Sequence, residues 1–259
     1  LGHLGEMRSP TQYPLAKDVV RWQGEPVAVV VANKRAVAED ALELVEIDYE
    51  DLDAQLDMET AMDKSTKVIH DDLGNNLFWT RTVNQGDVIE AFKQSHIVEE
   101  VTLDFARHTG VTLETRAIVA DWDSSEERMT IYHNGQAPHM MQSIIAKHLN
   151  ISEGLVRIIS CDVGGSFGIK VHVYPDEMVT VAVSKLLKRP VKFVADRLES
   201  YSTDIHSRCH KISGKIGVDD KGKILAFEID DLSGIGPFSV YPRTSAIETN
   251  QVLNLSAAS

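Results

Sequence analysis

Cys161-Asp162-Val163-Gly164-Gly165-Ser166-Phe167-Gly168-Ile169-Lys170 is the stretch whose reading decides the fold of this 259-residue chain. An apolar run from Leu155 to Ser160 leads into it, and a helical pattern opens at Pro175 after it. The glycines therefore stand where a buried strand ends and the chain must turn, a place where α/β sheets hold ligands. Three glycines within five residues permit positive φ and let backbone N–H groups approach a bound anion or oxo group that a Cβ would obstruct. The same residues also suit a tight turn that holds no ligand.

Two nucleotide loops are excluded. A Walker loop needs Gly-x-x-x-x-Gly-Lys-Ser/Thr, but Val171 follows Lys170, so no hydroxyl is placed for magnesium. A dinucleotide fingerprint needs Gly-x-Gly-x-x-Gly, whereas Gly164, Gly165 and Gly168 give Gly-Gly-x-x-Gly.

Outward from the loop, 117–122 and 128–133 read as strands joined by the Ser124-Ser125-Glu126-Glu127 turn. Met141, Ile144, Ile145, His148 and Leu149 make one apolar helical stripe, on which His148 reads as a packed histidine. Pro175-Asp176-Glu177 opens a second helix through Leu186, and the acids suit its positive end, so Glu177 reads as a first-turn acid. With a strand at 191–195, the segments near 130, 157 and 193 form consecutive βαβ crossovers that put the loop tips on one edge. Gln136 stands at the junction between strand and helix, just before Pro138. It can face a ligand there or cap the helix.

Upstream, 19–22 and 27–31 read as strands, 38–45 as a helix and 45–49 as a third strand. Residues 51–85 carry no sustained period and suit a linker, with His70-Asp71-Asp72 as a solvated acidic turn. A short helix starts at Gly86-Asp87, a strand runs from 98 to 105, and 210–218 and 223–232 form a long hairpin around Asp219-Asp220-Lys221-Gly222. His206-Ser207-Arg208-Cys209-His210 lacks the glutamate of a zincin, and no further Cys or His cluster completes a zinc site.

Composition fits a globular chain, with 43% apolar and 25% charged residues. A net charge of -13 leaves no basic stripe to displace counterions from nucleic acid. Two cysteines exclude a disulfide framework and make a reducing, cytoplasmic setting the default. No apolar run approaches the roughly 20 residues of a membrane span.

The glycine stretch resembles the Gly-Gly-x-Phe-Gly-x-Lys loop in the molybdenum-binding subunit of the xanthine dehydrogenase/aldehyde oxidase family, which includes the aerobic carbon monoxide dehydrogenases. Gly24-Glu25-Pro26-Val27-Ala28-Val29-Val30, Gly135-Gln136-Ala137-Pro138-His139 and Ser239-Val240-Tyr241-Pro242-Arg243-Thr244 resemble further segments of that family in the same order. Glu114-Thr115-Arg116 stands where the family usually has Met-Glu-Pro, and Thr115 departs from that proline.

The resemblance implies a mixed α/β (α+β) fold: part of an α/β hammerhead domain at 1–65, a linker at 66–90, and the first part of the molybdopterin-cofactor-binding domain at 91–259. It implies oxidation of an aldehyde or related small substrate with water as oxygen donor, carbon monoxide or N-heterocycle oxidation and a non-catalytic scaffold being the alternatives. Gln136, Gly164, Gly165, Phe167 and Gly168 are the implied cofactor contacts, Val171 and Arg208 the implied substrate-pocket residues, and no residue here is a direct metal ligand. Purine-oxidising relatives carry glutamate where Val171 stands. The cofactor would be molybdenum-molybdopterin as the cytosine dinucleotide, with [2Fe-2S] and FAD on partner subunits in a homo- or hetero-oligomer. The general-base glutamate is expected beyond Ser259, so this chain alone is expected to be inactive.

Overall fold

The computed structural model describes residues 7–207 and 209–240. In chain order its helices and strands are α1 (Arg35–Leu42), α2 (Val88–Gln94), β1 (Ile97–Phe105), β2 (Ala117–Asp123), β3 (Arg128–His133) and α3 (Pro138–Leu149). They continue with β4 (Val156–Ile159), α4 (Pro175–Leu187), β5 (Val191–Val194), α5 (Arg197–Thr203), β6 (His210–Val218) and β7 (Ile224–Ser233). The chain divides into two compact units, one holding Ala54–His108 with the residues from His206 onward, the other Thr11–Asp53 with Thr109–Ile205.

In the second unit four strands form a sheet in the order β4-β3-β2-β5. β2 alternates as a half-buried strand should: Ile118, Ala120 and Trp122 point into the core with Met129 and Ile131 of β3. Met141, Ile145 and Ala146 of α3 and Val181 of α4 fill the same cluster, so both helices cover one face of the sheet. Burying each Met, Ile or Val of the cluster contributes roughly 1.5–3 kcal/mol. Ser184 of α4 stitches helix to sheet, accepting from Trp122 N at 3.1 Å and donating to the Arg189 carbonyl at 2.8 Å.

The caps explain where the helices stop. Pro138 and Pro175 each occupy a first turn, where a missing N–H costs nothing. Asn150 and Lys188 close α3 and α4 in the left-handed conformation. Glu177 is the first-turn acid expected, accepting from Tyr174 N at 3.2 Å.

In the first unit β1, β6 and β7 form an antiparallel sheet in the order β1-β6-β7, and Asp219 Oδ1 fixes the β6–β7 turn by accepting from Lys221 N and Lys223 N. Asp87 caps α2, its carboxylate accepting from Glu90 N at 3.0 Å.

Three expectations are corrected and one, the crossovers, holds. The segments 19–22, 27–31 and 45–49 are not strands, although α1 forms between the last two. A strand exists only as a member of a ladder, and neither sheet of the described residues includes these segments. The crossovers β3–α3–β4 and β4–α4–β5 join parallel strands as expected, β5 pairing with β2 at the edge opposite β4. His148 is exposed, because α3 buries the side that carries Met141 and Ile145. His70 is buried, not solvated, with Nε2 2.6 Å from the Pro237 carbonyl and its ring edge-on to Phe238.

Candidate functional site

The direction of the strands in the second unit assembles the site. β3, β4 and β5 run one way and β2 the other, so three strand C-termini and the entry to β2 share one edge. The segment 112–116 enters β2 there, Gln136 leaves β3 there, and the glycine loop leaves β4 there. Gln136 N donates to the Lys170 carbonyl at 3.1 Å, and Ser160 Oγ donates to the Gly135 carbonyl at 2.9 Å, so the β3 and β4 exits are tied together.

Positive φ at three residues shapes the loop tip. Gly165 has φ +100° and Gly168 φ +91°, values that L side chains rarely adopt. Phe167 is held at φ 49° and is 78% exposed, an aromatic side chain presented outward by a strained backbone. A Cβ on Gly168 would meet nothing within 4 Å, which leaves open space beside the Phe167–Gly168 peptide. Among the described residues no acceptor meets the N–H of Phe167 or of Gly168.

Ser166 and Gln136 face each other, the Ser166 hydroxyl donating to Gln136 Oε1. That contact uses the acceptor end of the amide. The Nε2 end, with two donors, has no partner among the described residues. Gln136 therefore does not cap α3; it offers hydrogen-bond donors on the same edge as the loop tip.

Beneath the tip lies a charged foundation. Glu114 Oε2 accepts from Gly164 N at 2.8 Å and from Lys170 Nζ at 2.7 Å. Burial pushes the Glu114 carboxyl up, but the bonds from Lys170 and Gly164 together hold it below its ordinary value. Two residues on, the fully buried Arg116 grips Asp176 with two hydrogen bonds of 2.6 and 2.8 Å, donates to Asp204 at 2.7 Å and stacks 3.7 Å over the Tyr174 ring. Tyr174 donates its hydroxyl to the Ile169 carbonyl at 2.9 Å, fixing the far end of the loop. Burial raises the Tyr174 pKa, so the phenol remains a donor at neutral pH.

Of the other positions singled out, Val171 is half-buried at the end of the short 3₁₀ turn Ile169–Val171, and Arg208 lies outside the described residues. So do residues 241–244. Thr115, where the family has proline, keeps its turn through Asn134, whose Nδ2 donates to the Thr115 carbonyl at 2.8 Å and whose Oδ1 accepts from Ala117 N at 2.9 Å. His210 packs beside Asp231, with Nδ1 2.9 Å from its carboxylate.

Comparison with known proteins gives this arrangement a context. Residues 69–257 match the molybdopterin cofactor-binding domain. The chain belongs to that family. Residues 2–53 match the α/β hammerhead domain of aldehyde oxidase and xanthine dehydrogenase. The nicotine 6-hydroxylase large subunit of Paenarthrobacter nicotinovorans is 35% identical over 234 residues, covering 90% of this chain and 29% of that protein. The carbon monoxide dehydrogenase large chain of Hydrogenophaga pseudoflava is 30% identical over 86% of this chain and 30% of its own. In structure, quinoline 2-oxidoreductase from Pseudomonas putida 86 superimposes with a TM-score of 0.88 at 29% identity, over 93% of this chain and 30% of that one. The chain thus spans about three tenths of the length of these relatives.

The residues present suit a molybdopterin group. Its oxygen and sulfur atoms accept hydrogen bonds, and the edge offers unpartnered donors at Phe167 N, Gly168 N and Gln136 Nε2 beside space that a Cβ at Gly168 would fill. Among the described residues no group of three or more His, Cys, Asp or Glu side chains could hold a bare metal ion. No helix among them is long and apolar enough to cross a membrane.

Proposed function

We propose that this chain is the cofactor-cradling part of a molybdenum hydroxylase large subunit that oxidises an aldehyde or related small substrate with water as the oxygen donor. The observation that carries this is the set of unpartnered donors at the loop tip, Phe167 N and Gly168 N, with Gln136 Nε2 on the same edge. When bound, the molybdopterin group, as its cytosine dinucleotide, supplies the redox and oxygen-transfer chemistry. The protein binds and orients it. Gly164 and Gly165 allow the backbone to come close, Phe167 and Gly168 present their amides, and Gln136 donates from a side chain whose acceptor end Ser166 already occupies. Residues 1–65 are assigned to the hammerhead portion, 66–90 to a linker and 91–259 to the cofactor domain. The complete enzyme would work in the cytoplasm with iron–sulfur and FAD subunits as electron carriers.

Val171 is assigned to the substrate side, and Arg208 is a candidate for orienting an anionic or carbonyl substrate. A wall with valine offers no hydrogen bond to a purine's ring nitrogens, and a missing buried partner of that kind can cost discrimination of about 10⁴. A second reading is favoured by the names of the relatives: nicotine and quinoline are aromatic rings with few nitrogens, and they too suit an apolar wall. The test is turnover of the complete enzyme on glyceraldehyde, quinoline, xanthine and carbon monoxide. The aldehyde or the quinoline is expected to give the higher kcat/KM, and a value for xanthine that matched them would refute the substrate assignment.

A further inference from the structure

One carboxylate oxygen holds both ends of the glycine loop. Glu114 Oε2 accepts from Gly164 N at 2.8 Å and from Lys170 Nζ at 2.7 Å, so six residues of chain that could extend about 20 Å are closed on a single atom. The backbone repeats the contact, with Glu114 N donating to the Gly164 carbonyl at 3.1 Å. Glu114 is itself held, because Thr112 Oγ1 donates to its carbonyl at 2.7 Å.

Gly164 is required for this approach. A Cβ there would lie 2.5 Å from Glu114 Cβ, closer than real Cβ contacts come. The Lys170 side chain is 1% exposed, and among the described residues Glu114 is its counter-ion. A desolvated ammonium without a partner is costly, so the pair persists rather than exchanging with water.

We propose that Glu114 is the positioning residue of the loop, setting where the Phe167–Gly168 backbone is presented to the bound group. It acts through Gly164 and Lys170. This inference rests on the cofactor reading above. A misplacement of reacting groups by about 1 Å can cost a hundredfold in rate, so the clamp should be felt in kcat and not in substrate binding.

The experiment compares wild type, E114Q, K170M and the double variant in the complete enzyme. E114Q keeps the shape but leaves the Lys170 ammonium without its counter-charge. Its kcat should fall at least about tenfold with KM changed less than about threefold, at unchanged molybdenum content and melting temperature. The Gly164 amide should exchange with solvent at least about tenfold faster, and the double variant should recover part of that protection because it removes the stranded charge as well. Unchanged kcat in loaded E114Q, or a loss only in proportion to lost molybdenum, would overturn the proposal. So would unchanged Gly164 exchange. Since exchange is read with or without cofactor, a wild-type protein devoid of molybdenum would sink the cofactor reading alone.

Discussion

The Gln136 backbone N–H donates to the Lys170 carbonyl at 3.1 Å, joining the exit of β3 to the end of the loop that leaves β4. Because the two strands are parallel neighbours, their C-termini lie side by side, and this one bond sets the Gln136 side chain against the loop. Its acceptor end meets Ser166, and its donor end is left for a ligand.

The first expectation follows from that geometry. In the complete enzyme, Gln136→Ala should lower turnover about a hundredfold, as loss of a positioned donor does. Molybdenum content and fold should stay at wild-type levels, since the side chain is exposed and fills no core. Wild-type turnover at equal metal content would show that Gln136 only braces the loop.

Arg116 should matter for stability instead. Arg116→Met would strand Asp176 and Asp204 in a buried site and remove the stacking on Tyr174. Breaking a buried ion pair by deleting one partner costs about 3–5 kcal/mol. Native-state hydrogen exchange at the β2 amides should accelerate more than about a hundredfold. Exchange within a factor of about three of wild type would mean that the network contributes little.

The pH dependence of the loop has a definite sign. The Glu114 carboxyl sits below its ordinary value of 4.5, so its folded form binds a proton less readily than the unfolded one. Such a group contributes stability that is fully present above the unfolded value and lost as pH falls through the folded one. Protection of the Gly164 amide, corrected for intrinsic rate, should therefore be constant from neutral pH down to 4.5 and decline only below it. Protection that titrates away above 4.5 would contradict the pairing with Lys170.

Much of the second unit was legible from pattern. β3 runs over the 128–133 expected, and α3 and α4 begin at the prolines that announced them, because alternation and first-turn prolines are local signals. The loop and Gln136 were legible because strand ends and glycines mark them. The segments 27–31 and 45–49 misled because β-branched runs give the same signal whether or not a ladder partner exists, and pairing is not local. The contacts of Ser166, Lys170 and Tyr174 are not legible in the sequence for a related reason. Their roles depend on contacts with Gln136, Glu114, Ile169 and Arg116 across the fold, and only strand order brings those together. A lysine closing the glycine loop, four residues before an aromatic that precedes a helix, was the one hint available.

The most direct test is the molybdenum and pterin content of the complete protein purified from its native host, measured for wild type and for Gly168→Ala. At Gly168 a Cβ clashes with nothing in the protein, although the left-handed backbone makes alanine cost about 1–2 kcal/mol. The added methyl would instead intrude on the space reserved for the group. Wild type should hold stoichiometric molybdenum and pterin, and the variant should lose most of both while keeping wild-type protection at the Gly164 amide. A wild-type protein free of molybdenum, or a fully loaded variant, would contradict the account.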